Sequence, residues 1–520
     1  MNKARDLRVG VDVGGTNTDA VLVDSAGAVL TSVKVATTPD PIDGIRAALD
    51  AVLKGADTAR ISKAMLGTTH PANAIIQRTG LDSVGILRLA APSSLGVRPG
   101  AAWPEDIHTV VLRSAAIIEG GHEYTGQPIA PLDEEAARRF AGDVQANGCG
   151  AVAVSAAFSP AVTDHELRAG EILAEELGFD FPVSLSHQVG SLNLLERENA
   201  TILNAALLSV AKSVTDGFQA ALAERNLQVD AYITQNDGTL MTVEEAARFP
   251  VLTLGSGPTN SMRGACALAQ VSDALVVDVG GTSTDVGILV EGFPRESSAA
   301  VEVGGVRTNF RMPDLISMGL GGGTIVRGTG RDVAVGPDSV GYAVVTEALC
   351  VGGGTLTLSD ISLAGGRFDG FGDSSLVAEV DSATVTAALE WVDSQLTVMV
   401  DRIKSARADM PLLAVGGGAH LIPDDLPGVS EIHRPENYQV ANAYGAAIAE
   451  ASGAVDKVYS YDASSREECL DEARELASNV AIRSGADPEQ VRITNVTEIP
   501  MTYVPGGGCR VMVKAAGPLA

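Results

Sequence analysis

Apolar and polar positions alternate along Leu7-Arg-Val-Gly-Val11, which predicts a half-buried strand, and the apolar run Ala20-Val-Leu-Val23 predicts a second one close behind. The same succession returns far down the chain. Ala274-Leu-Val-Val-Asp278 reads as a buried strand and Val286-Gly-Ile-Leu-Val290 as its neighbour. The connecting segments are Asp12-Val-Gly-Gly-Thr-Asn-Thr-Asp19 and Asp278-Val-Gly-Gly-Thr-Ser-Thr-Asp285, identical at seven of eight positions. Such self-similarity predicts two copies of one supersecondary unit: strand, glycine-rich turn, strand.

Other periodicities fill in an α/β chain. Gly150-Ala-Val-Ala-Val-Ser155 and Phe181-Pro-Val-Ser-Leu-Ser186 read as the last strands of a first domain, residues 1–190. A stretch at about residues 80–130, marked by Pro92, Pro99, Pro104 and Pro128, reads as an insertion. Thr163-Asp-His-Glu166 has capping-box spacing before a helix at 167–177, which assigns His165 and Glu166 to structure. A helical pattern over 192–222 opens a second domain, residues 191–454; Glu196, Arg197, Glu198 and Asn204 at its start face either a ligand or solvent. Past residue 455, Cys469, Ala473, Leu476 and Val480 fall at helical spacing, and 491–497 and 510–514 read as strands. Residues 455–520 thus form a small C-terminal α/β module.

Composition narrows the partners. The 520 residues carry 37 basic and 65 acidic side chains, a net charge of −28, which disfavours a nucleic-acid or anionic-membrane footprint. Five cysteines (Cys149, Cys266, Cys350, Cys469, Cys509) show no CxxC spacing, so no disulfide framework or thiolate zinc site is expected. A reducing, cytoplasmic location fits that count. Residues 1–5 carry no apolar leader pattern, and the longest uncharged run, 144–163, is broken by Asn147, Gly148, Gly150 and Pro160. No P-loop GxxxxGK[ST] and no strand-to-helix GxGxxG is present, and the seven histidines show no HxH or HxxxH spacing.

The repeated turns supply the candidate chemistry. Gly14, Gly15, Gly280 and Gly281 permit positive φ and leave backbone N–H groups open to converge on an anion. Thr16, Asn17 and Thr18, and Thr282, Ser283 and Thr284 in the second copy, add short polar groups beside it. Asp12 and Asp278, at the strand ends, can hold hydrated Mg²⁺ next to phosphates. Ordinary hairpins use the same residue types, but two near-identical copies favour one polyphosphate gripped from both sides. With a chain this acidic, that grip depends on backbone donors and metal rather than on net charge.

These residues resemble the ASKHA superfamily of actin, sugar kinases and Hsp70-type ATPases, which implies an α/β, ribonuclease H-like duplicated two-domain fold. Leu412-Leu-Ala-Val-Gly-Gly-Gly-Ala-His420 is similar to its adenosine loop, which assigns Gly416, Gly417 and Gly418 to the nucleoside. More narrowly, the chain looks like the hydantoinase/oxoprolinase family, A-subunit type, which couples ATP to opening of hydantoin, oxoproline or lactam rings. The segments that carry this are the two turns, Gly67-Thr-Thr-His-Pro-Ala-Asn73, Glu196-Arg-Glu-Asn-Ala-Thr201, Gln235-Asn-Asp-Gly-Thr239, Ser256-Gly-Pro258 and Met318-Gly-Leu-Gly-Gly-Gly-Thr324. Leu66 stands where the family usually has His, and Asn17 where it has Phe.

The resemblance implies ATP and Mg²⁺ as cofactors, with Asp12 and Asp278 as the catalytic, metal-holding residues. It implies phosphoryl transfer to the carbonyl oxygen of a cyclic amide, with Thr68, Thr69, His70, Asn73 and Arg78 as substrate contacts. Asp19 and Asp285 are expected to fix the turns. A second hydrolase subunit and an oligomeric assembly are the expected partners. The competing expectations are a reactivase- or chaperone-like ATPase and a small-molecule kinase.

Overall fold

The computed structural model describes residues 5–38, 40–297, 300–368, 370–462, 464–502 and 507–520; of the N-terminal segment read above, residues 1–4 lie outside these. The first repeat folds as antiparallel strands β1 (Leu7–Val13) and β2 (Asn17–Val23), with Asp12 opposite Asp19. β3 (Val29–Ala36) pairs antiparallel with β2, and β4 (Ile61–Thr68) runs parallel to β1 on its other side. Helix Pro41–Val52, capped by Asp40, lays Ile45, Ala48, Leu49 and Val52 on this sheet.

The chain then leaves the sheet. β5 (Val84–Ala91), β6 (Leu112–Glu119), β7 (Ala151–Ala156) and β8 (Val183–Leu185) form a separate all-parallel sheet in the order β6-β5-β7-β8. The strands at 151–156 and 183–185, expected in the first domain's core, therefore pair here. The physical reason is the β–α alternation: parallel neighbours need helical crossovers, which helices Glu105–Val111, Glu134–Ala146 and Asp164–Leu177 supply. β5 and β7 are buried at every position, as strands covered on both faces are.

Within this sheet the capping-box spacing is not used, although Glu166 keeps the structural place expected of it. Thr163 makes no side-chain cap bond, and Glu166 turns inward, fully buried, to accept from the Ala156 N–H (2.7 Å), the Ser186 hydroxyl (2.5 Å) and the His187 N–H (3.0 Å). Nor do Arg197, Glu198 and Asn204 face solvent, for all three are buried. Arg88 and Glu198 form a two-point ion pair at 2.7 and 2.6 Å, and the Ser155 hydroxyl donates to the same carboxylate at 2.8 Å. The charges opening helix Leu194–Ala206 are thus satisfied inside the core by partners from other segments, Glu198 by Arg88 and Ser155 and Arg197 by the Ser186 hydroxyl and the Ser191 and Ala156 carbonyls, which their sequence spacing does not reveal.

Helix Leu208–Glu224 leads back to the first sheet, where β9 (Asp230–Thr234) lies parallel to β4 and β10 (Leu240–Thr242) antiparallel to β9. The second repeat gives antiparallel β11 (Ala274–Val279) and β12 (Thr284–Val290), with Asp278 opposite Asp285. Short strands follow: β13 (Phe293–Pro294), the hairpin β14 (Val301–Val303) and β15 (Val306–Thr308), β16 (Leu315–Met318), and the ribbon β17 (Thr324–Arg327) and β18 (Ala334–Ser339). β16 pairs antiparallel with β12, while β19 (Met410–Val415) and β20 (Val429–His433) add parallel strands beyond β11.

The order β16-β12-β11-β19-β20 repeats β3-β2-β1-β4-β9 with the same strand directions. Duplication in sequence is therefore duplication in topology, the duplicated two-lobe α/β fold that the resemblance implied. We call the two copies the first and second lobes.

The C-terminal module is β21 (Ala451–Ser460), β22 (Arg492–Pro500) and β23 (Gly508–Gly517), with helix Arg466–Arg483 packed on them through Cys469, Ala473 and Ala477. Leu476, expected on that face, is 38% exposed. β21 runs parallel to β10, so the module extends the first sheet to nine strands. Where the lobes meet, helix Ser256–Ala269 crosses helix Ala441–Ile448 at Gly264 and Gly445. A Cβ on Gly264 would strike the Ala441 carbonyl and one on Gly445 the Asn260 carbonyl, so glycine is required at both. Among the described residues, no helix is long and apolar enough to cross a membrane, and all five cysteines are free.

Candidate functional site

Each repeat closes its turn with the same bond: the Gly14 N–H donates to the Asn17 carbonyl (3.0 Å), and the Gly280 N–H to the Ser283 carbonyl (2.8 Å). None of Gly14, Gly15, Gly280 and Gly281 takes a positive φ, contrary to the conformational reason given for them above. What the second turn needs is close approach. A Cβ on Gly281 would lie 2.9 Å from the Thr16 side chain of the first turn, and one on Gly321 would lie 2.6 Å from Gly281 itself. The turns stand face to face, with the second backed by the glycine run 321–323, whose Gly322 and Gly323 N–H groups donate to the Gly280 and Gly281 carbonyls.

A cleft runs between them. Residues 14–17 line one wall, residues 280–283 the other, and Gly416 and Gly417 contribute from the second lobe. Three of the expected nucleotide contacts stand behind these walls. Thr18 is fully buried, the Thr284 hydroxyl donates to the Leu320 carbonyl (2.7 Å), and the Gly418 N–H donates to the Val279 carbonyl (2.7 Å). Gly416 is held at φ 86°, and a Cβ there would strike the Asp278 carboxylate; one on Gly67 of β4 would likewise strike Asp12. In both lobes a glycine on the neighbouring parallel segment makes room for the aspartate.

Four carboxylates enter the cleft: Asp12, Asp19, Asp278 and Asp285. Asp19 and Asp285 thus line it as well as bracketing the turns. The Asn260 amide donates to Asp12 Oδ1 (2.9 Å), and the Asn442 amide donates to Asp12 Oδ2 (3.0 Å) and Asp19 Oδ2 (2.9 Å). Burial pushes the Asp12 carboxyl up to about 7 against the Asn260 bond, and the charges of Asp19 and Asp278 add to the rise. Burial also raises Asp278, and lifts Asp285 to about 6 against the bond from Ser317. Lys34 is the one cation among the described residues that line the cleft, and it bonds Asp19.

The expected substrate contacts divide. Thr69 lines the cleft at the end of β4, its hydroxyl donating to the Val13 carbonyl (3.2 Å). Thr68 is buried and accepts from the His70 N–H (3.1 Å), while the Asn73 amide reaches back to Thr69 (3.5 Å). His70 opens helix His70–Gln77, and burial holds its imidazole below the usual range. Arg78 does not line the cleft. At the far end of that helix it donates to the Gly304 carbonyl (2.8 Å) in the β14–β15 hairpin and pairs with Asp106 (2.9 Å).

Sequence reasoning missed Lys34, Asn260, Ser261 and Asn442. Asn260 and Ser261 come two and three residues after Pro258 of Ser256-Gly-Pro258, where a helix opens toward the cleft, and that was the available signal. Asn442 and Lys34 carry none, since their placement depends on the helix crossing and on strand register.

In the turn between β9 and β10, Asp237 accepts from the Thr239 N–H (3.0 Å) and pairs with Lys514 of β23 (2.7 Å). Burial alone would raise this carboxyl, but Lys514 and the Thr239 bonds carry it down to about 2. A depressed pKa stabilises the fold above the unfolded value of 3.8, and that stability is lost as pH falls toward 2. Asp237→Asn is therefore expected to cost about 2 kcal/mol at pH 7, with the gap to wild type shrinking between about pH 4 and 2, as read from denaturation midpoints.

The chain matches the hydantoinase/oxoprolinase N-terminal region over residues 8–177 and the hydantoinase/oxoprolinase region over residues 197–372. It is 26% identical over 472 residues to caprolactamase subunit alpha of Pseudomonas jessenii, covering 85% of this chain and 66% of that protein. It is 26% identical over 390 residues to the acetone carboxylase beta subunit of Xanthobacter autotrophicus, covering 68% and 54%. The chain spans about half to two thirds of the length of these curated relatives. In fold it is similar to the crystal structure of ATP-dependent caprolactamase from Pseudomonas jessenii, with TM-score 0.77 and 20% identity over 99% of this chain and 88% of that one. The nucleotide-free acetone carboxylase structure gives TM-score 0.71 and 20% identity over the same shares. With both family regions matched in order and together spanning more than half of the chain, the chain belongs to the hydantoinase/oxoprolinase family.

Proposed function

We propose that the cleft binds Mg-ATP and that the chain activates a cyclic amide of the hydantoin, oxoproline or lactam class for ring opening. The observation that carries this is the pair of facing Gly-Gly-Thr turns with Asp12 and Asp278 in one cleft. The ATP-dependent caprolactamase among the relatives supports it.

The residues fit magnesium. Among the described residues no three His, Cys, Asp or Glu side chains gather closely enough to enclose an ion. A pair of carboxylates suits an ion that takes most of its ligands from water and phosphate. Asp12 and Asp278 would hold it, and when bound it neutralises phosphate charge. The N–H groups of the turns orient the phosphates, Gly416 and Gly417 lie against the nucleoside, and Thr69 faces the acceptor. An amide oxygen carries no proton to remove before it accepts a phosphoryl group, so the chain needs no base for that step and works by positioning and electrostatics. Water addition to the activated carbon then opens the ring and releases phosphate, in this chain or on a second subunit.

A second reading, supported by the acetone and acetophenone carboxylase subunits among the relatives, keeps the ATP chemistry and replaces the amide by a ketone. ATP hydrolysis measured with and without a panel of hydantoins, oxoproline, lactams and small ketones separates the two. Stimulation with ring opening supports the amide reading, and stimulation by ketones supports the second. Turnover that answers only to a partner protein or to alcohols overturns both in favour of a chaperone-like ATPase or a kinase.

A further inference from the structure

The duplicated sheets carry matching rows of side chains that differ at one position. In the first lobe Asp12, Asp19 and Lys34 stand opposite one another on β1, β2 and β3. In the second lobe Asp278, Asp285 and Ser317 stand on β11, β12 and β16. In each row the third residue donates to the middle carboxylate: Lys34 Nζ to both oxygens of Asp19 at 2.6 and 2.7 Å, and the Ser317 hydroxyl to Asp285. A neutral hydroxyl satisfies that carboxylate in one lobe, so the ammonium in the other brings a charge that strand pairing does not require. The Lys34 side chain keeps 32% of its surface exposed, so its head can swing without opening a packed core. Asp19 then retains the Asn442 amide.

We propose that Lys34 contacts the terminal phosphoryl group of a bound nucleoside triphosphate, its ammonium passing from Asp19 to the phosphoryl oxygens. This rests on the Mg-ATP reading. The nucleoside end of that ligand lies with Gly416 and Gly417 in the second lobe, so a triphosphate laid past residues 280–283 brings its last group to the first lobe, where Lys34 and Thr69 line the cleft. A diphosphate stops short of it. In the transfer the bond from the β–γ bridging oxygen to phosphorus breaks as the bond from the acceptor oxygen forms, and Lys34 stays protonated throughout. A compact ammonium suits this task as a point charge against phosphate oxygens.

The test is equilibrium binding of Mg-ADP and of the magnesium complex of a non-hydrolysable imido analogue of ATP, with no turnover involved. Lys34→Ser, which copies the second lobe, is expected to weaken the triphosphate analogue roughly 10- to 100-fold, as loss of a charged hydrogen bond does, and ADP by less than about threefold. Lys34→Arg should recover part of the loss. The double variant Lys34→Ser/Asp19→Asn leaves no unpaired carboxylate, so it carries the comparison if the single variant misfolds. It should stay weak for the analogue. Equal shifts for both nucleotides, no shift for either, or recovery in the double variant would make Lys34 a counterion of Asp19 and overturn the proposal. If wild type binds neither nucleotide, the Mg-ATP reading itself falls.

Discussion

Asp12→Asn and Asp278→Asn, made singly, are each expected to lower ATP turnover roughly 10³-fold, the upper end of what losing one preorganised electrostatic group costs a transition state. The amide keeps the shape of the carboxylate, and at both positions shape is tightly constrained by Gly67 and Gly416. Stability should change little. The substitution removes a charge that burial already disfavours, which at position 12 offsets the donor-against-donor contact of the introduced amide with Asn260 or Asn442. Steady-state ATPase assays beside thermal melts separate the two effects. Full turnover in both variants would mean that phosphoryl transfer happens elsewhere.

The largest stability effect is expected from Arg88→Leu, at about 3–5 kcal/mol, because it strands a carboxylate in the core of the inserted sheet. Arg88 and Glu198 have 0% and 1% of their side chains exposed, so water cannot take over the broken pair. The guanidinium also donates to the Val97 carbonyl (2.5 Å), fixing the loop that follows β5. Arg88→Leu/Glu198→Leu should recover most of the loss, since two apolar side chains leave no unpaired charge, with the Ser155 hydroxyl and the Val97 carbonyl left to find new partners. Chemical denaturation of wild type, single and double variants measures the cycle. A single variant as stable as wild type would show that the pair is open to solvent.

The part of the fold legible in the sequence was local and repeated. Asp12 to Asp19 and Asp278 to Asp285 each carry their own turn signal, and seeing it twice located both lobes. The glycines at 416–418 could be placed by order alone. The unread part depends on contacts between segments far apart in sequence. β4 finds β9 rather than β7 because the intervening β–α units pair among themselves. Lys34 reaches the site through the register of β3, one residue from facing away. Asn260 and Asn442 meet at Asp12 only because two helices cross at Gly264 and Gly445. Glu166 and Glu198 look like surface charges, and nothing local says which partners would bury them. Arg78 was offered by the resemblance as a substrate contact, yet its αL cap position, at φ 59°, turns it toward the β14–β15 hairpin.

The nine-stranded sheet also dictates when this chain can fold. Its strands come from three stretches, β1–β4, β9–β10 and β21–β23, and the partner of β4 lies about 160 residues downstream. At synthesis rates of about 5–20 residues per second, β4 waits roughly 8 to 30 s on the ribosome with an unpaired, apolar edge. The inserted sheet needs no segment from outside its own stretch to pair its strands, so it can assemble during that interval. The order of assembly then inverts the order of translation: the insert closes first, and the sheet that the chain began with is completed last.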